Sequence, residues 1–306
     1  MKNFRIKSFC KINLFLRITK RLSNGYHNIK SLITYCELHD LITISKIRSS
    51  NDKISFSGKF KKRINQKSNT ITKVLDLLRQ NKFFEDQTFK INIQKNIPHG
   101  SGLGGGSSNA ADLLNYFNSE MKLKLNKKKI KKIADQIGFD VPINLERRNT
   151  FLTGKKGEIL RFNQKFKLNL LIVYPNLICS TKKIYKKNRK MSLSKPHSFF
   201  HIKTKKKLID LLKKENNDLE ETVTKIYPKV KKIINFIKSQ KGCYFSRITG
   251  SGSACFGIFS NVKNVIAARK SLKIRSHFYT TSFVHPATRT SILLGQRKHF
   301  LPCLPN

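Results

Sequence analysis

The sequence has no tryptophan, only 3 methionines, and few acids: 17 Asp and Glu stand against 63 Lys and Arg in 306 residues. No apolar run approaches the length needed to cross a bilayer, so no membrane association through a spanning helix is expected. The six cysteines (Cys10, Cys36, Cys179, Cys243, Cys255 and Cys303) are not paired at zinc-site spacing. No secretory apolar segment opens the chain, so reduced thiols in a cytoplasmic protein are expected. The shortage of acid leaves a formal net charge of +46. Such an excess is the usual footprint of nucleic-acid binding. It also has a blander origin. The excess is mainly lysine, spread through almost every segment and accompanied by abundant Asn, Ile and Phe. These residues share A/T-rich codons, so genomic drift accounts for the charge, and a nucleic-acid partner is not the expected one.

The length allows one large domain or two medium ones with a proper core. Its chemistry is concentrated in one run, Pro98-His99-Gly100-Ser101-Gly102-Leu103-Gly104-Gly105-Gly106-Ser107-Ser108-Asn109-Ala110-Ala111-Asp112, with five glycines and three serines. Glycine permits positive φ and close backbone approach. Such a run can turn several backbone N–H groups toward one point, forming an anion nest. Before it, residues 89–95 alternate apolar and polar as a half-buried strand does. After it, Ala110, Leu113, Leu114 and Phe117 mark one helix face. Ser107, Ser108 and Asn109 are N-capping residue types, so the helix is expected to open there and aim its dipole into the loop.

Two familiar phosphate loops fit poorly. Gly100 and Gly105 have P-loop spacing, but Gly106 stands where the lysine belongs. Gly100, Gly102 and Gly105 formally satisfy the dinucleotide pattern, yet the preceding strand alternates instead of reading continuously apolar. The pattern instead resembles the ATP-binding motif of the GHMP kinases. Its triple glycine followed by Ser-Ser-Asn-Ala-Ala is most similar to the branch whose acceptor is a cytidine-diphosphate-linked methylerythritol. A second glycine loop, Ile248-Thr249-Gly250-Ser251-Gly252-Ser253, resembles the family motif that closes over the phosphates from the C-terminal half. Two such loops in family order are far more specific than either alone.

The resemblance gives other residues meaning that they lack alone. Lys11 and Asn13 interrupt the apolar stretch Cys10–Leu16, where a lone lysine reads as a snorkelling edge residue. In the family, Lys-Ile-Asn-Leu-x-Leu is a motif near the chain start. Asn24-Gly25 is a tight-turn signal that presents Tyr26 and His27 at a bend. By itself such a pair is surface decoration; the family places it on the cytidine end of the substrate. Asn69 opens a helix with an Ile71, Val74, Leu75, Leu78 stripe, and the family sets it and Lys95 near the nucleotide. Asp140, in Gly138-Phe139-Asp140-Val141-Pro142, reads as an ordinary cap after a lysine-rich helix over 127–137. Gly138 is expected to end that helix as a left-handed C′ residue. The resemblance makes Asp140 the catalytic base, although Phe139 is bulkier than the usual small residue and Ile143-Asn144 depart from the pattern. Gly154-Lys155-Lys156-Gly157-Glu158 resembles a family turn with one added residue, and Asn217-Asp218-Leu219-Glu220 a family helix start. Tyr185 is either a core aromatic or the partner of Tyr26 in sandwiching the base.

The implied protein is an ATP-dependent small-molecule kinase of α+β class, with the two-domain GHMP kinase fold. Its N-terminal domain (1–165) resembles ribosomal protein S5 domain 2, its C-terminal domain (166–290) is ferredoxin-like, and residues 291–306 form an unassigned tail. Residues 186–207 read as a loop. The nucleotide phosphates would lie on the loop from Pro98 to Ser108, helped by Gly250 and Gly252, with Mg²⁺ and a hydroxyl from Ser107 or Ser108. Lys11 and Asp140 would be catalytic; Asn13, Tyr26, His27 and Tyr185 would hold the acceptor. A homoserine or mevalonate type of family kinase, a basic nucleic-acid-binding protein and an inactivated kinase are the alternatives. A monomer and a homodimer stand equal.

Overall fold

Two long strands carry the architecture: β1 (Phe4–Arg21) and β2 (His27–Ile47). They pair antiparallel from Phe4↔Ile44 to Arg21↔His27. Register shifts between Phe9 and Lys11, and between Asn13 and Phe15, let β1 continue through the polar interruption. A computed structural model of the chain describes residues 3–23, 25–62, 64–66, 68–84, 86–153, 158–162, 166–192, 199, 202–275, 281–286 and 301–302. The Gly154–Gly157 part of the expected turn lies outside these residues, as do Asn24 and most of the C-terminal tail.

After β2 come β3 (Lys53–Ser57), α1 (Thr70–Gln80) and β4 (Thr88–Gln94). β4 pairs antiparallel with β2 and parallel with β3, so α1 is the crossover between two neighbouring parallel strands. α2 (Gly105–Glu120), α3 (Lys127–Ile137) and the short α4 (Val141–Asn144) follow. The hairpin β5 (Asn149–Thr153) and β6 (Ile159–Phe162) then adds to β2. One face of this sheet is covered by α1, α2 and α3, with Ile42, Ile91 and Ile93 buried against Leu75, Leu114 and Ile133. The alternation of β4 is thereby explained: its apolar set points into this layer.

The second half is built on β7 (Asn169–Tyr174), with α5 (Thr181–Lys187), α6 (Lys205–Lys213), α7 (Glu220–Ile226) and α8 (Pro228–Lys238) after it. β8 (Cys243–Ile248), β9 (Cys255–Phe259), α9 (Val262–Arg275) and β10 (Thr281–Pro286) complete a four-stranded antiparallel sheet in the order β10-β7-β9-β8. This is the split βαββαβ, or ferredoxin-like, arrangement. A two-residue strand, β11 (Leu301–Pro302), meets the start of β1. The two sheets share a buried layer in which Cys10, Phe15 and Leu38 pack with Leu170, Ile172 and Phe256. That shared apolar layer holds the two glycine loops, one from each half, in contact.

Three local expectations change. α2 begins at Gly105, with Gly104 (φ 71) as a cap that offers no side-chain hydrogen bond. Ser107, Ser108 and Asn109 therefore lie inside the helix and do not cap it. Gly138 does close α3, its N–H bonded to the Ala134 carbonyl at 3.2 Å, but at φ 172 it is extended and not left-handed. The lysine-rich stretch read as loop to 207 contains the start of α6, capped by Thr204, because Leu208, Ile209 and Leu212 supply a buried stripe.

Candidate active site

The chain leaves β4 at Gln94 and enters α2 at Gly105 through a tightly bonded loop. Its base is Asp40 of β2, fully buried. Asp40 Oδ1 accepts from the backbone N–H of Asn96 and Ile97, at 2.7 and 2.8 Å, and Oδ2 accepts from the Lys95 ammonium. Burial pushes the Lys95 amine below its ordinary range, and the Asp40 carboxylate opposes that shift. Lys95 lines the cavity described below, yet its charge is neutralised within the wall. Nothing in the alternation of β2 marks Asp40 as the loop's anchor.

The loop then turns through three left-handed glycines, Gly100, Gly102 and Gly104, at φ 62, 80 and 71. Only glycine fits the middle position: a Cβ on Gly102 would stand 2.1 Å from the Thr249 carbonyl oxygen of the second glycine loop. Gly250 closes from the other side, its hypothetical Cβ 3.0 Å from the Gly102 carbonyl oxygen. The Ala254 N–H donates to the Ser101 carbonyl and the Cys179 N–H to that of Gly100, both at 3.0 Å. With no side chain capping α2, its first N–H groups are available to an anion, and the helix dipole adds to them.

Lys11 lies under Gly104. Its N–H donates to the Leu103 carbonyl, and a Cβ at Gly104 would collide with its stem at 2.8 Å. Its ammonium donates to Asn13 Oδ1 at 2.6 Å and stands 3.4 Å from Asp140 Oδ2. Lys11 is 4 % exposed, whereas the Asp140 side chain is about one-third open, at 35 %. Asn13 is fixed by Ser31, which accepts from its Nδ2 at 2.8 Å, and by Thr249, which accepts from its backbone N–H at 2.9 Å. Asp140 is held from behind by Asn144, whose Nδ2 donates to its carbonyl at 2.6 Å, while Asn144 Oδ1 accepts from Ser108 at 3.1 Å. The apparent departure at Asn144 is thus the link between α2 and Asp140.

One cavity of about 1370 Å³ joins these elements. Pro98, His99, Gly100, Ser101, Gly102, Gly104, Gly105, Gly106 and Ser107 line it, as do Asn69 and Gly250. So do Lys11, Asn13, Asp140, Tyr26, His27 and Tyr185. Asn69 also caps α1 with a full capping box to Thr72, and Thr70 donates to the Gly106 carbonyl at 3.0 Å, so α1 braces the loop. Leu103, Ser108 and Gly252 are not on the wall. Leu103 is buried in the layer between the sheets, Ser108 bonds to Asn144, and Gly252 faces Val223. Of the two candidate hydroxyls, only that of Ser107 lines the cavity.

At the other end, the His27 and Tyr185 rings are 5.1 Å apart, tilted by 42°. Tyr26 is 61 % exposed at the rim. The ring in direct contact with Tyr185 is thus that of His27. Burial, then the Arg21 charge, lowers the His27 pKa below its ordinary value, so the ring is neutral near pH 7. His27 Nε2 is buried without a partner among the described residues. Burial first, then the Asp140 charge, raises the Tyr185 hydroxyl. Among the described residues no helix is long and apolar enough to cross a membrane.

Family models agree with this geometry: GHMP kinases N terminal domain matches residues 69–145, and GHMP kinases C terminal matches residues 202–275. A 4-diphosphocytidyl-2-C-methyl-D-erythritol kinase from Pelagibacter ubique is 40% identical over 263 residues, covering 86% of this chain and 92% of that protein. The chain belongs to the GHMP kinase family. A second kinase of the same name, from Caldanaerobacter subterraneus, is 32% identical to this GHMP kinase over 275 residues, 88% of this chain and 92% of its own. Among solved structures, a 4-(cytidine 5'-diphospho)-2C-methyl-D-erythritol kinase superposes with a TM-score of 0.71 at 21% identity, covering 93% of this chain and 100% of that one. The L. major mevalonate kinase, solved with R-mevalonate, has a TM-score of 0.66 at 13% identity, over 92% of this chain and 95% of its own. This GHMP kinase therefore has the α+β two-domain fold of the family, as the two glycine loops imply.

Proposed function

We propose that this GHMP kinase transfers the γ-phosphoryl group of ATP to the 2-hydroxyl of 4-diphosphocytidyl-2-C-methyl-D-erythritol, a step of non-mevalonate isoprenoid precursor synthesis. The observation that carries the reading is the single cavity with a phosphate cradle and Lys11–Asp140 at one end and Tyr26, His27 and Tyr185 at the other. Homoserine and mevalonate have no base to stack, whereas this cavity offers aromatic faces and a neutral imidazole. The relative at 40% identity carries the name of this activity over most of the chain. The same reading divides the chain into an ATP-binding unit over 1–165 and a second unit over 166–290.

Phosphoryl transfer is mainly positioning and charge stabilisation. The N–H groups at the start of α2 and the loop glycines hold the nucleotide's phosphates. Asn69, which lines the cavity beside Thr70 and Gly106, would meet the nucleoside. The acceptor oxygen attacks phosphorus, the bond to ADP breaks, and the hydroxyl proton passes to the Asp140 carboxylate. Lys11 neutralises the charge that develops between them, and Asn13 aims its ammonium. No group of three or more His, Cys, Asp or Glu side chains able to hold a metal is found among the described residues. Among the described residues the cavity offers one carboxylate, Asp140, and the Ser107 hydroxyl, a set that suits Mg²⁺ carried largely by phosphate oxygens and water. When bound, Mg²⁺ would supply further neutralisation of phosphate charge.

The test offers the cytidine substrate, homoserine and mevalonate separately with ATP and follows ADP release. Turnover of the cytidine substrate alone is expected. Turnover of either other alcohol without it would overturn the assignment.

A further inference from the structure

Asn217-Asp218-Leu219-Glu220 is a run to which the site above assigns nothing. Its polar side chains do not cap the helix that follows, since α7 opens at Leu219 with no side-chain hydrogen bond to its first turn. Asn217 and Asp218 are both buried. The segment docks beside β1 as a short parallel bridge. The Leu16 N–H donates to the Asn216 carbonyl at 3.1 Å, and the Asp218 N–H to the Leu16 carbonyl at 2.9 Å. Asp218 Oδ2 accepts from the Ile18 N–H at 2.8 Å, two residues further along the strand, and Glu215 pairs with Arg17.

Asn217 bonds to the second glycine loop. Its Nδ2 donates to the Ile248 carbonyl at 3.1 Å and to the Gly250 carbonyl at 2.9 Å, while its Oδ1 accepts from the Leu219 N–H at 3.0 Å. Both amide hydrogens and the oxygen are engaged, which fixes the orientation of the carboxamide. Glu220 adds another tie, its carboxylate accepting from the Ile248 N–H at 2.9 Å. The loop held in this way reaches the partner of the catalytic lysine. Thr249 Oγ1 accepts from the Asn13 N–H at 2.9 Å. A Cβ on Gly250 would stand 3.4 Å from Asn13 Oδ1, the atom that takes the Lys11 ammonium. A helix start needs only an acceptor; Asn217 also supplies two donors, and both go to this loop.

We infer that Asn217 is a positioning residue for phosphoryl transfer: it holds the second glycine loop against β1 at the distance that seats Asn13, and so aims the Lys11 ammonium at Asp140. This inference rests on the kinase reading above but not on the identity of the acceptor. Without the amide, two buried carbonyls lose their donor, and the left-handed turn at Gly250 (φ 54) loses its tie. A misplacement of about 1 Å, even from a change away from the chemistry, can lower a rate about a hundredfold.

The test uses the full-length protein with Asn217→Ala, Asn217→Ser, Asn13→Ala and the double variant Asn217→Ala with Asn13→Ala. Val230→Ala, which trims a buried side chain of α8, serves as the stability control. The first readout needs no substrate: amide hydrogen exchange at Asn13, divided by that at Ile91 in the core of the N-terminal sheet. Global destabilisation moves both amides together. The ratio is expected to rise about tenfold in the Asn217 variants and to hold in Val230→Ala. The second readout is steady-state kinetics with the cytidine substrate. Asn217→Ala should lower kcat about ten- to a hundredfold, with KM for that substrate within about twofold. Val230→Ala should keep kcat while its melting temperature falls. Because Asn217 acts through Asn13, the double variant should be within about twofold of Asn13→Ala alone, whereas independent effects would multiply. Asn217→Ser keeps an acceptor for the Leu219 N–H but falls short of the Gly250 carbonyl, and it carries the test should Asn217→Ala not fold. An unchanged exchange ratio, a wild-type kcat in the folded Asn217 variants, or a multiplied loss in the double variant would each overturn the inference. A wild type inactive on the cytidine substrate would count against the acceptor assignment, and the exchange ratio would still report on Asn217.

Discussion

Lys11 and Asp140 come from opposite ends of the N-terminal sheet unit, yet the ammonium stands 3.4 Å from the carboxylate and 2.6 Å from the Asn13 amide oxygen. The pair faces the cavity through Asp140, the more open partner. Replacing Asp140 by Asn preserves shape and removes the proton acceptor. We expect kcat to fall about 10²- to 10⁴-fold, with ATP affinity within a few-fold of wild type. Single-turnover rates and calorimetric ATP binding measure the two separately; a near-normal rate would remove the base.

The contact of the two glycine loops gives a sharper structural prediction. Gly102→Ala forces a Cβ to within 2.1 Å of the Thr249 oxygen at a left-handed φ of 80°. A loss of about 2–4 kcal/mol is expected, together with weakened nucleotide binding. Gly138→Ala meets nothing nearer than 3.7 Å on an extended backbone and should be close to neutral. Urea denaturation of the two variants side by side tests the difference.

Asp40 has two functions at once, neutralising Lys95 and holding the Asn96 and Ile97 amides. Asp40→Ala leaves a buried cation unpaired and two N–H groups without their acceptor. Breaking such a pair costs about 3–5 kcal/mol. Adding Lys95→Met should restore part of that loss, since the stranded charge is gone. A double variant no more stable than Asp40→Ala would mean that the amides, not the ion pair, carry the effect.

His27 titrates below its ordinary value because it is partly buried and faces Arg21. The unfolded chain therefore binds the proton that the folded chain refuses. Stability from this group falls as pH drops from the ordinary histidine range, about 6.5, toward the folded pKa, and levels off below it. An NMR titration should place the His27 midpoint below about 6.5, and His27→Gln should flatten that part of the stability curve. A midpoint above the ordinary value would refute the sign.

At the same end of the cavity, Tyr26→Ala removes an exposed ring from the rim. KM for the cytidine substrate should rise roughly tenfold, matching about 1.4 kcal/mol of lost stacking, with kcat changed little. Steady-state kinetics with varied acceptor measures both, and an unchanged KM would refute the stacking role.

Residues with local signals were legible from the chain alone. Asn69 announced a cap, and it is one. The apolar stripe at Ile71–Leu78 is the buried face of α1. Ser107 and Ser108 are capping types and suggest a later start for α2, whereas the left-handed Gly104 opens the helix earlier. The structural roles of Asp40 and Asn144 are not legible in the chain, because a lone acid in a strand and an amide after a proline have no local signature. Their partners, Lys95 and Ser108, are distant in sequence.

By itself the sequence determined the element types, the two glycine loops and the chemical identity of Lys11 and Asp140, because periodicity and glycine content act over a few neighbouring residues. Only the tertiary structure decided which glycine faces Thr249, which serine turns inward to Asn144 and where the Lys11 ammonium points. Those depend on the packing of one sheet against the other, and distances across a shared core are set by side-chain volume from the whole chain, not by any local pattern.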